Sequence, residues 1–452
     1  MNGILTGKLS TYENAFQAVD VTSSDMKNAI KDWNELYYLQ KKTKEEDPCQ
    51  QIPYTIVRKL TKAVWSEYEA SSKDGFALQV LEALHDAGAD AIQEALIGGM
   101  CYMKPIPGKD RFSFAVVPRG NYLTFARNAA GMPTDVGMIE QLIKGKHYYT
   151  LLERRTVDAQ GFLTIRNALY CSYNRDNLGQ PVALTAVPEY ADLQPEYTFR
   201  VPVGSVGLVP VRTPIKNNVD GSRDAVSVYA AAVGLIHNIN RNEAQLNAEF
   251  ELGRKRLIAS SDMFKRDKKT GQLMMEDDLF VAVDDDAESV GVTIFSPELR
   301  EASFLARKQD YLRSVENIIG LKRGLLSEVE AVERTAKEIT SSEGEYSLTV
   351  VDFQRSWAAA VYEALRVCAV LGQLYRIPGA KEIGEDQVII SFGNGVLYDE
   401  EATRLRMRED VQAGLLQPER YVGFTYGMPY DTEAQRAKIR KELMPATVEE
   451  AE

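Results

Sequence analysis

The sequence is poor in the residues that most often do chemistry. Among its 452 residues are three histidines (His85, His147, His237) and four scattered cysteines (Cys49, Cys101, Cys171, Cys368). So few histidines leave little room for a general base at neutral pH, although carboxylates could serve. No CxxC pair occurs, so the thiols read as reduced cysteines of a cytosolic protein, not as a zinc site or a disulfide frame. GxxxxGK[ST] and GxGxxG are both missing, which removes a phosphate-cradling loop and a dinucleotide fold. HExxH and GxSxG are missing too. No catalytic constellation and no cofactor or metal motif stands out. The alternative of a carboxylate- and metal-dependent nucleic-acid-processing enzyme has no clustered support on adjacent strands.

Long apolar runs are also scarce. The longest near the middle, VYAAAVGLI, has about half the ~20 residues a spanning helix needs, so no membrane partner is expected. The opening MNGILTGKLS lacks a basic-then-apolar pattern, and assembly in the cytoplasm is the expectation. Positive charge is in deficit. With 53 Lys and Arg against 65 Asp and Glu, the formal net charge is −12, which argues against a chain that coats nucleic acid or an anionic membrane through a basic face. It does not exclude one that surrounds DNA without gripping it.

What is present is an ordinary globular composition, 44% hydrophobic and 26% charged, so wholesale disorder is excluded. The length predicts several domains or one elongated subunit of several parts. Residues 1–50 are polar with helical patches, including Trp33, Leu36 and Tyr37. IPYTIVRKLTKAVWSEYEA predicts an amphipathic helix entered through Pro53, with Ile56, Leu60 and Val64 inward. A second helix, FALQVLEALHDAGADAIQEALIGG, stops at Gly98-Gly99. Then MCYMKPIP and RFSFAVVPRGNYL read as short strands, and residues 147–213 stay β-rich, with DAQG and NLGQ as turns. Cys101 reads as a buried strand residue.

From about 226 to 257 the period becomes helical, with Val228, Ala232, Leu235, Ile239, Leu246 and Phe250 on one face and Asn242 interrupting. Such a helix would be ~45–50 Å long. FKRDKKTGQ follows as a basic, hairpin-like turn, then LFVAV and VGVTIF as short strands among carboxylates. Asp284, Asp285 and Asp286 are ligand types for a divalent ion, but without a Gly-spaced loop they read as a solvated turn. Ser296-Pro297-Glu298 predicts a helix start, with Phe304, Tyr311, Val315 and Ile318 as its stripe and Gly320 as its stop. A third long helix runs from about 333 to 376, burying Val350, Phe353, Trp357, Val361, Ala364, Cys368 and Leu371. QVIISFG is a last strand, and the tail from 399 to 443 is helical, broken by Gly414, Pro418, Gly423 and Pro429. The fold class is α+β.

The order of these elements resembles the portal proteins of tailed bacteriophages, in the minor capsid or portal branch of siphophages infecting Gram-positive hosts. Five stretches carry the likeness: IPYTIVRKLTKAVWSE; IQEALIGGMCYMKPIP with FSFAVVPRGNYLTF; PIKNN with GSRDAVSVYAAAVGLI; ELGRKRLIAS; and RTAKEITSSEGEYS. The last resembles the family's Thr-Ala-X-Glu helix start at Thr335–Glu338. The resemblance implies an elongated subunit with an arm and wing (1–225), a first stem helix (226–257), a clip (258–296), a second stem helix (297–320), a tunnel loop (321–334), a long wing helix and strand (335–396), and a crown and tail (397–452).

It further implies a homo-oligomeric ring, twelve-fold in assembled heads, at one capsid vertex of the virion. Double-stranded DNA would pass through it during packaging and ejection. Its partners would be the terminase large subunit, major capsid and scaffold proteins, and a head-completion adaptor. On the resemblance the DNA-channel residues would be Leu325, Leu326, Ser327, Glu328, Glu330 and Glu333. The clip docking residues would be Lys265, Arg266, Lys268, Lys269, Asp284, Asp285 and Asp286. No catalytic residue, metal or cofactor is implied. Charge agrees with the loop assignment: duplex DNA carries a charge every ~1.7 Å of axis, and an acidic wall repels what a basic bore would hold. The loop departs from the family's pattern, reading GLLSEVEAVER where relatives show more Gly and Ser. A non-ring head-completion or scaffold protein is the other structural alternative. Small residues from Thr340 to Gly344 give the third helix a place to bend.

Overall fold

A computed structural model describes residues 9–38, 48–253, 256–259, 264–266, 273–275, 292–295, 299–328, 336–392, 400–426, 428, 430 and 432–444. For 256–259, 264–266, 273–275, 292–295, 336–345, 400–403 and 434 the description is of the backbone alone. The chain forms two compact units. One comprises Met1–Val64 with Ala70–Ile390, the other Trp65–Glu69 with Ser391–Glu452. The fold is α+β, as expected.

In the larger unit, helices α1 (Leu9–Phe16) and α2 (Ser24–Tyr38) precede α3 (Ile52–Trp65). α2 buries Met26, Ile30, Trp33 and Leu36. Tyr37, expected beside Trp33 and Leu36, is only half-buried. α3 turns Ile56, Leu60 and Val64 inward, the face its spacing predicts. Strand β1 (Glu69–Ser72) leads to α4 (Gly75–Gly98), capped by Asp74, whose carboxylate accepts from the N–H groups of Phe76 and Ala77, both at 3.0 Å.

α4 stops at Gly99, where φ is +83° and a Cβ would lie 2.4 Å from the carbonyl oxygen of Ala225. Only glycine allows that approach. It lets the chain turn directly into β2 (Met100–Pro107), which sits centrally between β3 (Phe112–Val117) and β10 (Val209–Arg212). Cys101 in β2 is fully buried, as expected.

The larger sheet is an antiparallel meander of β4 (Tyr122–Arg127), β5 (Pro133–Lys144), β6 (His147–Val157), β7 (Leu163–Ser172) and β8 (Gln180–Val182). β9 (Glu196–Thr198) pairs with β7 at Thr164–Arg166. Met100, Tyr102, Tyr122, Val136, Met138, Val206 and Leu208 make one buried cluster; Phe16, Leu123, Phe125, Ile139 and Leu152 make another. Across this unit Glu153 pairs with Arg155 and Lys104, and Arg155 also donates to the carbonyls of Val206 (3.2 Å) and Gly207 (2.9 Å).

The first long helix is shorter than its apolar spacing predicts. α5 spans Val233–Leu252, not 226–257. At its start the backbone is captured by tertiary bonds: the N–H of Val228 and the hydroxyl of Ser227 both donate to the carbonyl of Leu96, at 3.0 Å each. Ala230–Ala232 form a 3₁₀ turn instead. At its end Gly253 breaks the helix, and Arg256–Ala259 is strand β11, paired with β14 (Val292–Phe295). β12 (Phe264–Arg266) pairs with β13 (Leu273–Met275), the expected hairpin. The expected LFVAV strand lies outside the described residues.

Helix α6 spans Glu301–Ile319, with Arg300 at its N-cap position, so it starts later than 297; Ser296–Glu298 lie outside the described residues. Its buried face is Leu312, Val315, Glu316 and Ile319. This corrects the predicted stripe: Phe304 and Tyr311 are half-buried, and Ile318 is 49% exposed. α7 (Ala336–Tyr375) runs for 40 residues, unbroken through Gly344. Val350, Phe353, Trp357, Val361, Ala364, Cys368 and Leu371 are all buried, as their spacing predicts. β15 (Val388–Ser391) pairs with β1.

The smaller unit contains α8 (Glu400–Gln412), α9 (Pro418–Thr425) and α10 (Glu433–Leu443). A capping box at Thr432 and Gln435 starts α10. Breaks at Gly414 and Pro418 fall where the sequence places them, whereas Gly423 lies inside α9 and does not break it, and Pro429 lies outside the described residues.

Candidate functional site

The site grows from the pairing of α5 with α6. Lys308 reaches Glu243 at 2.9 Å, and Arg300 grips Glu249 in a fork, with Nη2 to Oε2 at 2.7 Å and Nε to Oε1 at 3.1 Å. As numbers rise along α5 they fall along α6, so the two helices are antiparallel. Asn242, the polar interruption in the first apolar face, donates its Nδ2 to the carbonyl of Phe304 at 3.0 Å. Asn240, 1% exposed, accepts from the N–H of Gln50 at 3.0 Å. The amides inside this seam are therefore bonded, as buried polar groups must be. The Arg300 fork holds the Glu249 carboxyl below the usual carboxylate range.

Beside the seam lies a cleft of about 430 Å³, lined by Asn238, Arg241, Gln245, Arg300, Arg307 and Tyr311 among others. Arg307 stacks over Tyr311 at 4.9 Å from the ring centre, and Arg300 lies 5.7 Å over Phe304. Among the described residues no carboxylate lines this cleft.

The chain leaves α6 through Gly320, in the left-handed region at φ +75°. It then folds back onto the helix it has just left. The Oε1 atom of Glu316 accepts from the N–H groups of Gly324 (3.1 Å), Leu326 (2.5 Å) and Ser327 (2.9 Å), and Oε2 accepts from the Ser327 hydroxyl (2.7 Å). The N–H of Glu328 donates to Gln309 Oε1 at 2.8 Å. From α3, the ammonium of Lys59 donates to the carbonyl of Leu325.

The expected channel residues are therefore placed as follows. Leu325 and Leu326 are half-buried, Ser327 is buried, and Glu328 is exposed. Glu330 and Glu333 lie outside the described residues. Lys265 and Arg266 fall on β12 of the hairpin. Lys268, Lys269, Asp284, Asp285 and Asp286 lie outside the described residues.

Sequence reasoning missed Glu316. Its signal was a carboxylate at helix spacing within the run Leu312, Val315, Ile319, an acidic residue on an otherwise apolar face. It also missed the arginines of the cleft.

Among the described residues no group of three or more His, Cys, Asp or Glu side chains is arranged to hold a metal ion, and no helix is long and apolar enough to cross a membrane. Burial pushes the thiols of Cys101 and Cys368 well above their usual range, the opposite of what a nucleophile needs.

No family model matches the sequence, and no curated protein matches it. Among solved structures, a chain of the virion of a native gene transfer agent particle is similar at 10% identity and a TM-score of 0.43, over 93% of this chain and 99% of that one. A chain from the neck of an empty gene transfer agent particle is similar at 11% identity and a TM-score of 0.43, over 92% of this chain and 98% of that one. Likeness at this level says nothing of what this chain binds.

Proposed function

We propose that the chain is the subunit of a portal: a ring-shaped channel at one vertex of a phage-like capsid, through which double-stranded DNA is packaged, retained and later ejected. It is a conduit and not an enzyme. In this reading α5 and α6 are the stem, the β11–β14 segment is the clip that meets the terminase and later the adaptor, and residues 321–334 form the tunnel loop.

The observation that carries the reading is apolar surface left uncovered on the helical pair. Phe250 is 42% exposed, Leu252 66%, Leu299 40%, Leu305 46% and Ile318 49%, all on α5, α6 or the residue leading into α6. In this reading a neighbouring copy on each side covers that surface. A ring uses head-to-tail contacts, so each subunit needs two different faces. The two flanks of an antiparallel helix pair supply them. The basic cleft supplies complementarity to a chain that carries an acidic surplus.

Native mass measurement and end-on electron microscopy test this. The expected result is a closed ring, twelve-fold in filled heads, with a central pore. A chain that stays monomeric at every salt and protein concentration, or a metal-dependent nuclease activity of the pure protein, would overturn it.

A further inference from the structure

We propose that Glu316 is the positioning residue of the channel loop, holding the loop's base on the stem helix so that the two move as one body. The inference rests on the portal reading for its function, but not for its geometry.

Glu316 is fully buried, and no basic side chain bonds it among the described residues. It also sits in the last turn of α6, where the helix dipole disfavours a negative charge. A carboxylate so placed is stable only if hydrogen-bond donors replace the water it has lost. Among the described residues its donors come from the segment just downstream: the backbone N–H groups of Gly324, Leu326 and Ser327, and the Ser327 hydroxyl. The dependence runs both ways. Those N–H groups belong to a turn with no strand or helix partner, and one oxygen of Glu316 satisfies three of them. The Lys59 bond to the Leu325 carbonyl and the Gln309 bond to the Glu328 N–H fasten the same turn from two other sides.

The consequence is mechanical. A loop hung on two flexible ends would wander independently of the stem. Here its base is docked through charge-assisted bonds to the helix that precedes it, so a shift of α6 carries the turn with it. In the portal reading this fixes the height and direction at which the loop leaves the wall of the channel.

Glu316→Ala removes both carboxylate oxygens and with them the acceptor of the Gly324, Leu326 and Ser327 N–H groups. Glu316→Gln is the conservative control, because its amide oxygen can take the three N–H bonds while its NH2 donates to the Ser327 hydroxyl. Two readouts are made on the assembled protein and on particles built with each variant: amide hydrogen exchange, and the fraction of particles filled with DNA. For Glu316→Ala we expect at least tenfold faster exchange at Gly324, Leu326 and Ser327, normal rings, and a tenfold loss of filled particles. Glu316→Gln should recover most of both.

Unchanged exchange at those amides overturns the docking. Faster exchange with normal filling overturns the positioning role. If the wild-type protein forms no ring or pore, the portal reading fails while the exchange data still decide the docking. Should Glu316→Ala fail to fold, Ser327→Ala removes one bond only, and a several-fold rise confined to the same amides is expected; no rise there overturns the inference.

Discussion

Glu153→Gln tests the electrostatic reasoning about the larger unit most sharply. Glu153 is 4% exposed, with Oε1 accepting from Arg155 Nε at 2.6 Å and Oε2 bonded by the Lys104 ammonium. Burial pushes its carboxyl up, but Arg155 and then Lys104 outweigh that and hold it at about 2, against an ordinary 4.5. The gap is worth roughly 3 kcal/mol at neutral pH. A lowered carboxylate contributes stability that is present above about 4.5 and is lost as pH falls through about 2.

Glutamine removes that contribution and leaves Arg155, itself buried, facing a neutral acceptor, so roughly 3 kcal/mol is also what breaking a buried pair predicts. Urea unfolding followed by circular dichroism measures it. The variant should be less stable by roughly 3 kcal/mol at pH 7, and the difference should shrink to roughly 2 kcal/mol at pH 3.5. A difference under about 0.5 kcal/mol, the scatter of ordinary surface changes, would refute the assigned network. So would one that is equal at both pH values.

Three further outcomes bear on function. Replacing Glu328, Glu330 and Glu333 by Lys should lower the DNA-filled fraction of particles at least tenfold while rings still form; normal filling would show that loop charge is irrelevant. Changing Lys265, Arg266, Lys268 and Lys269 together to Ala should weaken terminase or adaptor binding about tenfold in a titration against purified partner, and unaltered affinity would remove the clip assignment. Leu305→Asp puts a charge on uncovered apolar surface of α6, where burying a leucine contributes about 1.5–3 kcal/mol, and should shift sedimentation from ring toward monomer. A ring of wild-type stability would place Leu305 outside any subunit contact.

The sequence makes legible those elements whose burial has one period and one partner. α7 is the clearest case, because seven residues spaced by three and four all turn inward, and nothing interrupts them. β5 was illegible, although it lies inside the main sheet. Its interior carries Gly137, a poor strand residue by its own preference, and only the fold shows why it stands there: a Cβ would meet the rings of Phe125 and Phe16 at 2.7–2.9 Å. The start of α5 failed for a related reason: Ser227 and Val228 bond to Leu96, 131 residues away for the serine, and no local pattern announces that capture.

Glu316 shows the limit most plainly. The sequence places an acid among Leu312, Val315 and Ile319, and the bland expectation is that the apolar stripe simply runs beside it. Its donors come from residues 324–327, a stretch whose Gly-Leu-Leu-Ser composition suggests only a mobile link. Neither segment is informative alone. The carboxylate requires donors and the turn requires an acceptor, and each need becomes visible only when the chain folds back at Gly320 and brings the two together.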